Sequence, residues 1–384
     1  MALSTRTFDR LNEIFYVVPM SESSGEIAVP GRIETIRAYK ALGGKVAAVF
    51  PIHYPRALFR ACDILPVEVW GPPGVDTCLG DAHLQAYTCP IVRAGLSFLL
   101  QGKLDLVDMI VVPHACDSLQ GLGSILLDFI KPARPVLPFY VPRGEGEPAR
   151  QFLVAEISRV RDELCEIGCK SPTPEEISEA LAREERADAA LAELLARTAN
   201  LPTSDRAFYR LVRSREYLPA EEFEKAARAL LVRKTEKARP GIPVLLSGIV
   251  PEPGEIFDAI ASASGRVAGD DLCCSGRRLY APGHGNDPLS RMADGLLSGP
   301  PDSTRGSSVE ERIAHLSALV ERHAAKGIIF YNLKFCEPEL FYLPQLRQGL
   351  QAAGVRSVVI ESDLGERLSD QTVTRIEAFL ESVA

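Results

Sequence analysis

Met109-Ile110-Val111-Val112-Pro113-His114-Ala115-Cys116-Asp117-Ser118-Leu119-Gln120 is the stretch that decides the fold. It reads as a buried strand that gives out at Cys116, followed at once by a helix start capped by Asp117 or Ser118. Upstream, Lys45 to Phe50 predicts a strand, Pro55 to Cys62 a helix, and Leu65 to Trp70 a second strand ended by Gly71-Pro72-Pro73-Gly74. A helix is expected from Pro90 to about Leu100, a third strand over 105–112 running out towards Cys116, and a fourth over 135–141. Strands separated by helices of about ten residues imply crossover units and a parallel sheet.

Beyond residue 145 the pattern changes. Residues 146–236 are rich in Ala, Glu, Arg and Leu, and Ser171-Pro172-Thr173-Pro174-Glu175-Glu176 is a strong helix start. From about 237 the alternation returns, with strands expected at 243–248, 266–269, 327–330 and 356–360 and a last helix over about 370–382. The expectation is an α/β chain of two Rossmann-like parallel-sheet domains, 1–145 and 237–384, joined by a helical brace, 146–236. Residues 281–308, dense in Gly, Pro, Ser and Asp, are expected to form a long loop.

Three cysteines each stand where a predicted strand ends: Cys116, Cys273 and Cys336. In open α/β sheets ligands bind beyond the carboxyl ends of strands, so these thiols can converge on zinc or an iron–sulfur cluster. Short Cys-x-x-Cys knuckles, usual in structural zinc sites, do not occur, and ligands so far apart in sequence favour a cluster. Cys89, before Pro90, occupies a helix N-cap position and is a fourth, less certain candidate. Cys78 lies in a Gly/Pro-rich loop, and Cys274, beside Cys273, is expected to point the opposite way. Cys62, Cys165 and Cys169 fall in helical patterns; the i,i+4 spacing of Cys165 and Cys169 could bind metal, but an apolar helix face with Leu164 and Ile167 is the favoured reading. Arg277, Arg278 and Lys334 are candidate cofactor-binding cations, and His114 a candidate proton donor. His53 follows the first strand, and His83 is weaker still.

Of 384 residues, 46% are hydrophobic and 24% charged, ordinary for a globular chain long enough for two or three cores. A net charge of −8 with no basic run argues against nucleic acid or an anionic membrane as main partner. Met1 to Arg6 lacks the start of a signal peptide, and no apolar run approaches the ~18 residues of a membrane span, so the cytoplasm is expected. Nine cysteines in such a chain are not a disulfide framework. No P-loop, dinucleotide fingerprint or nucleophile elbow is present.

The motifs His114-Ala115-Cys116-Asp117-Ser118, Gly269-Asp270-Asp271-Leu272-Cys273 and Lys334-Phe335-Cys336-Glu337-Pro338 resemble those of the 2-hydroxyacyl-CoA dehydratase and benzoyl-CoA reductase family. Asp81-Ala82-His83-Leu84-Gln85 and Cys89-Pro90-x-x-Arg93 fit the same pattern, and the similarity spans nearly the whole chain. Within the family the resemblance is nearest the smaller, cluster-bearing subunit of ATP-dependent benzoyl-CoA reductases. It implies an iron–sulfur centre, 4Fe–4S or an 8Fe–9S double cubane, held by cysteines matching Cys116, Cys273 and Cys336. A double cubane would draw on Cys89, Cys78 and Cys274 as well. It also implies a homologous cluster-bearing partner subunit and an ATP-hydrolysing activator with its own 4Fe–4S cluster. Ferredoxin would be the upstream donor, and an acyl-CoA substrate would be reduced or dehydrated through a ketyl radical. Radical dehydration of a 2-hydroxyacyl-CoA, or a stand-alone double-cubane reductase, are the alternatives.

Overall fold

Two four-stranded sheets carry the chain, and every neighbouring pair of strands in them is parallel. A computed structural model describes residues 27–72, 74–364 and 367–384; the N-terminal reading of Met1 to Arg6 lies outside them, as does Pro73 of the expected turn. The first sheet holds β1 (Lys45–Val49), β2 (Ile64–Glu68), β3 (Met109–His114) and β4 (Val136–Tyr140), in the order β2-β1-β3-β4. The second holds β5 (Ile242–Gly248), β6 (Gly265–Leu272), β7 (Ile328–Leu333) and β8 (Ser357–Ser362), in the order β6-β5-β7-β8. The winding is therefore the same twice. Each sheet changes direction at one place, between β1 and β3 and between β5 and β7, where an α/β fold opens its binding crevice.

Burial explains the strands. Val46 to Val49, Ile110 to Val112 and Ile328 to Leu333 are covered on both faces, as the interior of a helix-flanked parallel sheet requires. Between β4 and β5 run the helices Gly146–Glu166, Pro174–Ala196, Asp205–Arg213 and Ala220–Leu231. The second begins as its sequence predicts: Glu176 N–H donates to the Thr173 hydroxyl and Thr173 N–H donates back to Glu176 (3.3 and 2.9 Å).

This helical stretch is tied by buried polar groups to the helix after β1 and to β6. Glu184 accepts from Arg56 at 3.3 Å and Arg215 at 2.5 Å, while Asp205 accepts from the Val267 N–H at 2.8 Å. The Tyr209 hydroxyl donates to Asp270 in β6 at 2.7 Å. A direct tie also joins the sheets: Arg278 donates twice to Glu68, at 2.9 and 2.5 Å, from after β6 to the end of β2.

The structure departs from the sequence reading in places; the third strand, expected over 105–112, begins only at Met109 and runs to His114. The expected loop at 281–308 contains a helix, Pro288–Leu297, and a tight turn, Ser303–Arg305. Asp287 caps that helix by accepting from Ser290 N–H at 2.9 Å, and Leu289, Met292 and Ala293 are buried beneath it. Few apolar residues, well spaced, suffice where the first turn is capped. The strand expected to give out at Cys336 stops three residues earlier, at Leu333, and Phe335 adopts φ 61°. Lys334 and Cys336 therefore do not alternate on an extended chain.

At Gly248, the last residue of β5, φ is 153° and an added Cβ would stand 2.1 Å from the Tyr331 carbonyl oxygen on β7. Substitution by alanine (G248A) is expected to cost about 1–3 kcal/mol by overpacking. A urea midpoint equal to that of the unsubstituted chain would contradict this apposition of β5 and β7.

Candidate functional site

Three of the cysteines cap helices. Cys89 is the N-cap of Pro90–Leu100, Cys116 of Asp117–Ser124 and Cys336 of Glu337–Ala352. Cys116 leaves β3 and Cys336 leaves β7, so they occupy equivalent places in the two sheets. Cys273 follows β6 directly, just before the turn Gly276–Arg278. All four line one cavity of about 50 Å³, walled otherwise mainly by apolar groups such as Ile52, Trp70 and Ile249. At roughly 10–15 Å³ for each water-sized sphere, that space suits a small multi-atom group. It is far below the several hundred Å³ an organic ligand takes. A second cavity, of about 460 Å³, shares Trp70 as a wall and is rimmed by Arg32, Lys103 and Arg210.

The electrostatics separate the four thiols. The proximity of Cys336 lowers the Cys89 thiol, and that of Cys89 raises Cys336. Burial opposes the shift at Cys89, while the backbone N–H groups of Ile91 and Val92 reinforce it. Burial pushes Cys116 up to about 12, with the neighbouring Cys89 adding to the rise and the Leu119 and Ser118 N–H groups opposing it. Cys89, Cys116 and Cys336 thus sense one another. Cys273 is raised well above the usual thiol range by burial, and the strongest opposing group is Arg277. Helix N-termini favour negative charge, so the first three thiols are placed to become thiolates once a cation compensates their burial. Among the described residues no three metal-binding side chains crowd round a single point as one ion requires. The thiols instead stand on different walls of a shared space. An all-sulfur donor set of this kind is the one that zinc or an iron–sulfur group takes, not a hard oxygen-seeking ion.

Arg277 is completely buried and committed to acids: Glu339 at 2.7 and 2.9 Å, Asp271 at 3.0 Å and Asp302 at 3.3 Å. Its Nη1 also lies 3.2 Å from Cys273 Sγ. Arg278, also buried, serves Glu68. Lys334 is partly buried, and its backbone N–H donates to the Ser362 carbonyl at 2.9 Å. His114 does not line the cavity; its ring packs edge-on against Tyr140 with centroids 4.6 Å apart, and burial lowers its pKa. Cys274 turns away towards Arg213 and Glu216, and Cys78 is exposed at the start of Cys78–Asp81. Cys169 lies past the end of the helix that holds Cys165.

Sequence reasoning missed Asp302 and Glu339, which surround Arg277. It noted His53 only with caution. His53 is buried, with Nε2 3.2 Å from Asp302 and Nδ1 2.9 Å from the Tyr280 hydroxyl. The Gly269-Asp270-Asp271 run was a usable signal, since two acids inside a buried strand demand cationic partners.

Known proteins resemble this chain along most of its length. A family model described as 2-hydroxyglutaryl-CoA dehydratase, D-component, matches residues 51–383. The (R)-phenyllactyl-CoA dehydratase beta subunit of Clostridium sporogenes is 25% identical over 352 residues, covering 89% of this chain and 92% of that one. The beta subunit of (R)-2-hydroxyglutaryl-CoA dehydratase from Acidaminococcus fermentans is 28% identical, covering 90% and 94%. A benzoyl-CoA reductase subunit of Thauera aromatica is 24% identical, covering 79% and 81%. Each is named as one subunit of its enzyme. Among the described residues no helix is long and apolar enough to cross a membrane. The matched span includes all four cysteines of the cavity, and the chain belongs to the 2-hydroxyglutaryl-CoA dehydratase D-component family, alongside 2-hydroxyacyl-CoA dehydratase beta subunits and a benzoyl-CoA reductase subunit.

Proposed function

We propose that this chain is the iron–sulfur subunit of an enzyme that processes a CoA thioester by one-electron chemistry. The observation that carries the reading is the convergence of Cys89, Cys116, Cys273 and Cys336, from both sheets, on one small apolar cavity. In this reading the four thiols hold a 4Fe–4S cluster. Cys78 and Cys274, which a double cubane would need, face elsewhere. Such a cluster supplies single electrons at low potential. The helix N-termini behind Cys89, Cys116 and Cys336 stabilise thiolate charge, and Ile52, Trp70 and Ile249 keep water from the sulfurs. A thioester's acyl group does not fit among the cysteines, so it would be met across the Trp70 wall or in a partner subunit. Homologous subunit, ATP-hydrolysing activator and ferredoxin belong to this reading as partners.

For the substrate, a 2-hydroxyacyl-CoA undergoing dehydration is placed first. It is supported by dehydratase beta subunits that align over 92% and 94% of their length, against 81% for the benzoyl-CoA reductase subunit. Reductive dearomatisation of benzoyl-CoA, to a cyclohexadiene carbonyl-CoA, is the second reading; the sequence motifs by themselves ranked it first. The chain, co-expressed with its partner subunit and activator and supplied with ATP and reductant, is expected to convert a 2-hydroxyacyl-CoA to the enoyl-CoA without net consumption of electrons. Formation of a dienoyl-CoA from benzoyl-CoA with electron consumption would reverse the order. Product analysis by chromatography and mass distinguishes the two.

A further inference from the structure

We propose that Arg277 is a positioning residue: it clamps Cys273 to the helix that Cys336 caps, and by donating to the Cys273 sulfur it sets the potential of the group the cysteines hold. This deepens the reading above and rests on it. The guanidinium is fully enclosed, and its Nη1 reaches Cys273 Sγ at 3.2 Å and Glu339 Oε1 at 2.7 Å. Glu339 stands in the first turn of Glu337–Ala352, and its N–H donates to the Cys336 carbonyl at 3.1 Å. One side chain therefore fixes the distance between the loop after β6 and the helix after β7. Nη2 is held by Glu339 at 2.9 Å and Asp271 at 3.0 Å, and Asp271 is itself gripped twice by Arg312, at 2.7 and 2.5 Å. With both Nη groups pinned, the fork cannot swing away from the sulfur. A hydrogen bond to a ligating sulfur draws off electron density and raises a cluster's potential, one of the levers by which proteins tune such groups. Lysine carries the charge but not the fork, so the bidentate clamp and the donation to sulfur cannot both survive in R277K.

The test is a redox titration, followed by electron paramagnetic resonance, of anaerobically purified chain with its partner subunit. R277K is expected to keep most of its iron and its far-ultraviolet dichroism, and to shift the midpoint potential to more negative values. An unchanged potential in R277K, or a shift to more positive values, would overturn the proposal. If R277K fails to fold, the charge-balanced pair R277Q/E339Q replaces it, with the same expected shift and the same contrary result. Absence of iron from the unsubstituted chain is a separate outcome: it sinks the iron–sulfur reading itself, and the role given to Arg277 with it.

Discussion

Alanine in place of Glu68 (E68A) is expected to destabilise the folded chain by about 3–5 kcal/mol, the range for breaking a buried ion pair from one side. Glu68 is buried and accepts from Arg278 at 2.9 and 2.5 Å, Arg56 at 3.0 Å, Tyr54 at 2.9 Å and Trp70 Nε1 at 2.9 Å. Removing it leaves the guanidinium of Arg278 without its carboxylate and releases Trp70, the wall of the cysteine cavity. Burial tends to raise the Glu68 carboxyl, but Arg278 and Arg56 outweigh it and hold the pKa below the ordinary carboxylate range. A carboxylate whose folded pKa is depressed stabilises fully above its unfolded pKa and loses that contribution as pH falls through the folded value. The difference between E68A and the unsubstituted chain in urea unfolding should therefore be largest at neutral pH. It should shrink at acid pH, below the ordinary carboxylate range. A small and pH-independent difference would contradict the role of this ion pair.

The second large effect concerns the thiols. Serine at Cys89, Cys116 or Cys336 is expected to remove more than half of the bound iron, while Cys165→Ser, outside the cavity, retains it. Iron-free forms of the four variants should unfold within roughly 1 kcal/mol of one another, the ordinary cost of a small buried substitution. Atomic absorption on anaerobically purified protein reads the first quantity and denaturant titration the second. Iron retained in all three cavity variants would rule out these thiols as ligands. A large stability loss in the iron-free state would instead make them packing residues.

The sheets were legible because buried parallel strands are nearly continuous apolar runs, and Val46–Val49, Ile110–Val112 and Ile328–Leu333 are of that kind. Helix starts were legible where chemistry marks them, as at Thr173-Pro174-Glu175-Glu176. Pro288–Leu297 was hidden because Gly, Pro and Ser on either side suggested a loop, and tertiary burial of Leu289 and Met292 beneath the Asp287 cap sustains it. The strand-end cysteines could be read from the chain alone, since a parallel sheet sends such residues to one edge. What could not be read is how they group. Cys89 comes from a helix start with no strand before it, yet it is the thiol that stands beside Cys336. Cys273 shares the cavity but leans on Arg277, whose acids arrive from β6, the turn near Ser303 and the helix after Cys336. Partners brought from three elements leave no periodicity in sequence.

Iron and acid-labile sulfide, measured on chain purified anaerobically after co-expression with its neighbouring genes, decide whether the four thiols hold a cluster. About four of each per chain are expected, one cubane on four thiols. Zinc in their place, or neither element, would contradict the reading of the cysteine cavity as an electron-transfer centre.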